Sequence, residues 1–144
     1  MVESKKKPNI IIFEGWCVGV QPQNKKDLLV PVNDLEKYKD ANKIWRNRVN
    51  QELRKDYKKI FRLIDKLIFL KVPSFKHVFK WRLLQEKKLR IANKGKKIMS
   101  YSQIKNFIMF YERLTKHMLQ SLTYKADAVI KIDVEHRLKS IKFN

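Results

Sequence analysis

Two short stretches hold residue types that could do chemistry. The first is FEGW, residues 13–16, which closes the apolar run Ile10 to Phe13 with the carboxylate of Glu14 and then sets Gly15 and Trp16. In open α/β sheets, ligands bind beyond the carboxyl ends of the strands. If 9–13 is a strand, Glu14 stands at such an end. A carboxylate there could accept a proton from a substrate hydroxyl or orient a metal-bound water. Gly15 would let the backbone turn sharply beside a ligand, and Trp16 would offer it a flat wall. The plainer reading is a strand cap, with Glu14 paired to a neighbouring lysine and Trp16 simply packed. The residues alone leave these two readings even.

The second stretch is WRLLQE, residues 81–86. Arg82 and Glu86 stand at i and i+4, the spacing of an ordinary helix salt bridge worth about 0.2–0.5 kcal/mol. Arg82 could instead reach over an active site and meet phosphate oxygens with two parallel N–H groups. Taken alone, the salt bridge is the better-supported reading. His77, His117 and His136 show no metal-ligand spacing. Cys17 has no histidine partner and reads as a small buried hydrophobe. A single cysteine excludes an internal disulfide and a cysteine-based zinc site. Tyr101, Phe107, Phe110 and Tyr111 read as core rather than as a base-stacking platform. Glycines stand only at 15, 19 and 95. The phosphate-cradling loop GxxxxGK[ST] is therefore not in this sequence.

These residues need elements to position them. The β-branched run 9–13 reads as a fully buried strand. A polar connection follows to about Val32, and Asn33 or Asp34 could cap a helix. From 35 to 64 the apolar residues step by three and four, which marks an amphipathic helix or helix pair. KLIFLKVP, 66–73, is a continuous apolar run and reads as a second buried strand. Ser74 would cap a helix over 75–92, and NKGKK, 93–97, is a basic loop. Ser100 with Gln103 forms a capping box for the next helix, whose apolar side carries Ile104, Phe107, Ile108, Tyr111, Leu114, Met118, Leu119 and Leu122. ADAVIKID, 126–133, is a third strand, and 136–143 a last short one. Strands separated by helices imply crossover connections, hence an α/β sandwich with a mainly parallel sheet.

The 144 residues suffice for one domain with a real core. The net charge is +20, from 34 basic and 14 acidic residues. Such a charge raises nucleic acid, an anionic membrane or a phosphorylated ligand as partners. The 26 lysines outnumber the 8 arginines and are scattered along every segment. Codon bias towards A/T accounts for that pattern without any function. Weak, salt-sensitive binding to polyanions is still expected. No apolar run reaches the length of a membrane span, and the amino-terminal apolar stretch is too short for a signal peptide. Cytoplasmic is the default location.

The order IIIFEGWCVGV, PVN (31–33), KLIFLKVPSFKHVFKWRLLQEKKL, MS (99–100) with IKNFIMFYERL, and ADAVIKIDVEHRL resembles that of D-glycerate 3-kinases. These belong to the P-loop kinases related to uridine kinase and phosphoribulokinase. The resemblance runs from about residue 8 to 141, with FEGW and WRLLQE its most specific parts. It implies a parallel sheet with helices on both faces. It also implies transfer of the ATP γ-phosphate to a hydroxyl of D-glycerate or a similar small acceptor, with Mg²⁺. By resemblance, Glu14 activates the acceptor hydroxyl or holds the water of the metal, without ligating the metal directly. Trp16 and Gly15 belong to the acceptor pocket. Arg82 acts from a lid helix on the transferring phosphoryl group, with Lys87 and Lys88 as further lid candidates.

In that family the phosphate loop and first strand precede EGW. Residues 1–144 therefore resemble a single incomplete P-loop kinase-like domain, its carboxy-terminal portion, and the chain by itself is expected to be inactive. In the related kinases the loop-bearing strand runs between the strands matching 9–13 and 66–72, so both are expected to lack a shared neighbour. The competing reading is non-enzymatic. It is either a basic nucleic-acid-binding module or a subunit that completes a separate P-loop chain.

Overall fold

Polar caps set where the helices begin. In the computed structural model, which describes residues 8–92 and 98–144, Asn33 caps α1 (Asp34–Lys39) by accepting from the Glu36 N–H at 3.0 Å. Ser100 and Gln103 form the expected capping box on α5 (Tyr101–Lys125). Each such bond satisfies an N–H that has no partner inside its helix. The run 35–64 is not one helix or a pair. It splits into α1, α2 (Ile44–Arg54) and α3 (Asp56–Phe61). The first break comes where Lys43 takes a left-handed φ of 62° and Asp40 accepts from the N–H groups of Trp45 and Arg46. The second comes at Lys55. Helix α4 (Phe75–Ala92) matches its expected span. The expected loop at 93–97 lies outside the described residues. Among the described residues, no helix is long and apolar enough to cross a membrane.

The sheet has three strands in the order β1 (Ile68–Lys71), β2 (Ala128–Ile132), β3 (Leu138–Phe143). β1 and β2 are parallel, joined through α4 and α5. β2 and β3 are antiparallel. The mainly parallel sheet expected from the element order is thus a mixed one. The connection 133–137 is too short for a crossover. It turns back tightly, with Asp133 Oδ1 accepting from the N–H groups of Glu135 and Arg137 and with His136 at φ 66°.

The first expected strand is absent. Residues 10–15 carry no regular structure, and Ile12 is 88% exposed. β-Branched composition favours a strand, but a strand exists only where its N–H and C=O groups find a ladder. Among the described residues none pairs with this run. The second strand is present but only half covered, with Ile68 and Leu70 exposed and Phe69 turned inward.

The core forms where α5 crosses α2 and the start of the sheet. Val20, Leu53, Met118 and Leu122 are buried together, with Cys17, Phe61, Leu67, Phe69 and Leu114 packed around them. The turn 16–19 enters this core through Gly19, whose φ is 77°. FEGW is thereby tied to the start of β1 although it belongs to no element.

Candidate functional site

An aromatic ladder on α5 links the two stretches singled out in the sequence. The Trp16 ring meets Tyr111 edge-on at 4.9 Å between centroids. Tyr111 meets Phe107, one turn earlier on the same helix, at 5.1 Å. The guanidinium of Arg82 lies 5.7 Å from the Phe107 ring centre, within cation–π range. FEGW and WRLLQE therefore sit along one face of one helix. Arg82 makes the helix salt bridge to Glu86, and its Nη1 donates to Gln85 Oε1 at 2.8 Å. Glu86 is buried and also accepts from the Met99 N–H at 3.3 Å. Its carboxylate ties α4 to the residues just before α5 while holding the arginine. Trp81 fastens the same helix to the β2–β3 turn. Its Nε1 donates to Val134 O at 3.1 Å, and its ring lies 4.0 Å from that of His136.

The other expected site residues are distributed around this ladder. Glu14 is exposed, two residues before Trp16, and makes no ion pair among the described residues. Gly15 is exposed beside it, with a Cβ-sized space bounded by Val18 at 3.1 Å. Lys87 and Lys88 are exposed on α4. The aromatic residues of α5 are not the core expected of them. Tyr101 and Phe110 are exposed, and Phe107 and Tyr111 form the ladder. The wide apolar stripe of α5 exceeds what its neighbours cover, so only Ile104, Ile108, Met118 and Leu122 are sealed.

A buried charged cluster also packs on α5, and the sequence reading missed it. Arg113 of α5 grips Glu36 through both Nε and Nη2 at 2.6 Å. Its remaining N–H groups donate to the carbonyls of Asp27 at 2.8 Å and Val30 at 2.7 Å. Arg46 donates to the carbonyls of Leu28 and Asp40 and pairs with the Asp40 carboxylate at 3.2 Å. Asn33 Nδ2 donates to Met109 O and Glu112 Oε2. Burial alone would raise the pKa of Glu36. The Arg113 hydrogen bond, the Val32 N–H and the charges of Arg113 and Arg46 outweigh it and hold the carboxyl below its usual value. The cluster clamps the segment 27–36, which leads into α1, onto α5. Its only trace in the sequence is an arginine beside the apolar stripe of α5. An open cleft of about 580 Å³ lies beyond the carboxyl end of β1, lined by Pro73, Ser74, Lys76, Lys116 and Leu119.

No family model matches the chain. It is 33% identical over 108 residues to "uncharacterized kinase mug58" of Schizosaccharomyces pombe, a match covering 74% of this chain and 36% of that protein. It is 25% identical over 142 residues to the chloroplastic D-glycerate 3-kinase of Arabidopsis thaliana, covering 94% of this chain and 28% of that one. The solved D-glycerate 3-kinase of Cryptococcus neoformans var. grubii serotype A superposes with a TM-score of 0.73 at 22% identity, over 99% of this chain and 52% of that chain. The chain is related to part of the D-glycerate 3-kinases. The YGR205w protein superposes with a TM-score of 0.57 at 22% identity, over 89% of this chain and 45% of its own. The chain spans about a third of the length of the curated relatives and about half of the solved ones.

The ATP and Mg²⁺ implied by the kinase resemblance need a phosphate cradle and hard oxygen ligands. The sequence has no GxxxxGK[ST] loop. Among its described residues no three His, Cys, Asp or Glu side chains gather as a metal site. Neither observation identifies a Mg²⁺–ATP site among the described residues.

His117 joins α5 to the chain ahead of the clamped segment, its Nε2 bonded to Gln21 O at 2.9 Å. Burial lowers its pKa, against the opposing pull of the Gln21 bond and Asp27. The folded protein thus binds this proton less readily than the unfolded chain, and stability must rise with pH across this range. The contribution of His117 is complete above the unfolded value near 6.5. It is lost as pH falls from there through the folded value. Thermal melts between pH 7.5 and 5 should show a drop in Tm that is smaller in His117→Gln.

Proposed function

We propose that these residues form the acceptor and lid portion of a glycerate-kinase-like phosphotransferase, which moves a phosphoryl group to a hydroxyl of D-glycerate or a similar small acceptor. The observation that carries this reading is the ladder Trp16–Tyr111–Phe107–Arg82, which brings the FEGW and WRLLQE stretches to one face of α5. Glu14, exposed and unpaired by any described cation, is free to take the proton of the acceptor hydroxyl. Trp16 walls the acceptor. Arg82 swings from its pair with Glu86 to meet the transferring group, as a bidentate donor suits phosphate oxygens. Polypeptide outside these 144 residues supplies the phosphate loop, in the same chain or another.

A chimera tests this reading. Residues 1–144 replace the matched half of the Cryptococcus neoformans enzyme, and MgATP-dependent phosphorylation of D-glycerate is assayed. The chimera is expected to be active. Arg82→Ala should lower kcat by about a thousandfold, as for other charge-neutralising arginines. Glu14→Gln should lower it by about a hundredfold or more. A folded chimera without transfer, or one indifferent to both substitutions, overturns the proposal. The 144 residues alone should phosphorylate nothing, and clear activity from them would refute the placing of the phosphate loop outside.

A further inference from the structure

Arg82 lies between two clasps. Among the described residues, two hydrogen bonds tie α4 to distant parts of the chain: Trp81 Nε1 donates to Val134 O at 3.1 Å, and Glu86 accepts from the Met99 N–H at 3.3 Å. Trp81 immediately precedes Arg82, and Glu86 follows it by one helical turn. The Glu86 carboxylate is also the partner of Arg82. When the guanidinium leaves for a phosphoryl group that clasp changes, and the Trp81 clasp is the one left unaltered. It is built on the β2–β3 turn, which is fixed by its own bonds. Asp133 Oδ1 accepts from the N–H groups of Glu135 and Arg137 at 2.9 and 2.8 Å, and the Asp133 N–H donates to Arg137 O at 2.9 Å. His136 sits in this turn at φ 66°. Glycine adopts that backbone at least cost, so the chain accepts strain to place an imidazole there. The ring lies 4.0 Å from that of Trp81, centroid to centroid, with 45° between the planes. One short turn thus holds Trp81 by both its N–H and its ring.

We propose that the β2–β3 turn is the fulcrum of α4, with Trp81 and His136 as the positioning residues that aim Arg82. This rests on the reading given under Proposed function, in which Arg82 meets the transferring group. Consecutive helix residues point about 100° apart. Pinning Trp81 to the turn therefore fixes the direction in which Arg82 leaves the helix, towards Phe107 of α5. A loosened Trp81 lets α4 roll about its axis, and the guanidinium loses its place. The loss falls on transfer rather than on acceptor binding, since Trp81 and His136 are not part of the acceptor wall at Trp16.

The deciding variant is His136→Gly, which removes the ring while relieving the backbone. Its Tm in the chain 1–144 should therefore hold. The NMR resonances of the Arg82 side chain, displaced by the Phe107 ring, should move towards those of an unpositioned arginine. The indole N–H of Trp81, identified by its loss in Trp81→Phe, should exchange with water about tenfold faster. In the chimera described above, His136→Gly should lower kcat about tenfold with KM for D-glycerate unchanged, within the roughly hundredfold that a misplacement of about 1 Å can cost. Added to Arg82→Ala it should cost nothing further, as expected when one residue acts through another. His136→Phe, which keeps a ring, should restore most of the rate. Trp81→Phe keeps a ring but loses the bond to Val134, and as a second variant it should also lower kcat. Arg82 resonances unmoved by both His136→Gly and Trp81→Phe overturn the inference. So do losses in kcat that simply add to that of Arg82→Ala. An inactive chimera, with Arg82 still displaced by His136→Gly in the chain 1–144, sinks the kinase reading and leaves the fulcrum standing. A chimera whose kcat answers to Arg82→Ala but ignores His136→Gly and Trp81→Phe does the reverse.

Discussion

Arg113→Ala should be among the most destabilising single changes in the chain, costing about 3–5 kcal/mol, the usual penalty for breaking a buried ion pair from one side. The guanidinium holds Glu36 by two bonds of 2.6 Å and satisfies the carbonyls of Asp27 and Val30. Removing it leaves a buried carboxylate whose nearest remaining cation is Arg46 Nη1, at 4.0 Å. It also leaves two carbonyls without that donor. Urea unfolding at pH 7 should show the loss as a lower midpoint. Adding Glu36→Gln to Arg113→Ala should recover part of it, because the stranded charge disappears. The pH dependence should change sign. In the wild type Glu36 has a lowered pKa. Its stabilisation is present above the unfolded value near 4.5 and is lost as pH falls through the folded value. In Arg113→Ala burial dominates, the folded pKa rises, and acid should relieve the mutant relative to the wild type. Equal losses at pH 7 and 4.5 would show that the pair is not the source.

Gly19→Ala should be nearly as costly. The backbone there has φ 77°, a left-handed conformation that costs other L-residues about 1–2 kcal/mol. An added Cβ would also lie 2.6 and 2.9 Å from the two methyl carbons of Leu67. Overpacking of this kind typically costs about 1–3 kcal/mol more. Leu67→Ala in the Gly19→Ala background separates the two causes, since it opens space without relieving the dihedral. Partial rescue is expected, and full rescue would show that the dihedral is unstrained. The same turn carries Trp16 to Tyr111. Gly19→Ala should therefore alter tryptophan emission in the wild-type background and not in Trp16→Phe.

Local signals were legible wherever the deciding partner lay nearby in the chain. The caps at Asn33 and Ser100 depend on residues three positions on, and both formed. The span of α4 was read from Pro73 closing the strand before it and from Ser74 as the capping position. The run at 9–13 was misread because its composition describes a strand while none of the described residues pairs with it. The mixed sheet escaped notice because the direction of β3 rests on the tight turn at 133–137, which the alternating pattern of a strand does not report. The i, i+4 pair of Arg82 and Glu86 was evident from spacing. Its place over Phe107, and the ladder on to Trp16, needed α4 and FEGW to meet on α5.

By itself the sequence determined the helical periods, two of the caps, the want of a phosphate loop in these residues, and the order of motifs shared with D-glycerate 3-kinases. These are properties of residue type and short spacing. Only the tertiary structure decided that Arg113 is a buried clamp rather than a surface charge. It alone brought Trp16 and Arg82 to the same helix. Each of these depends on groups far apart in the chain, such as Glu36 and Arg113, whose burial and hydrogen bonding arise only when the chain has folded.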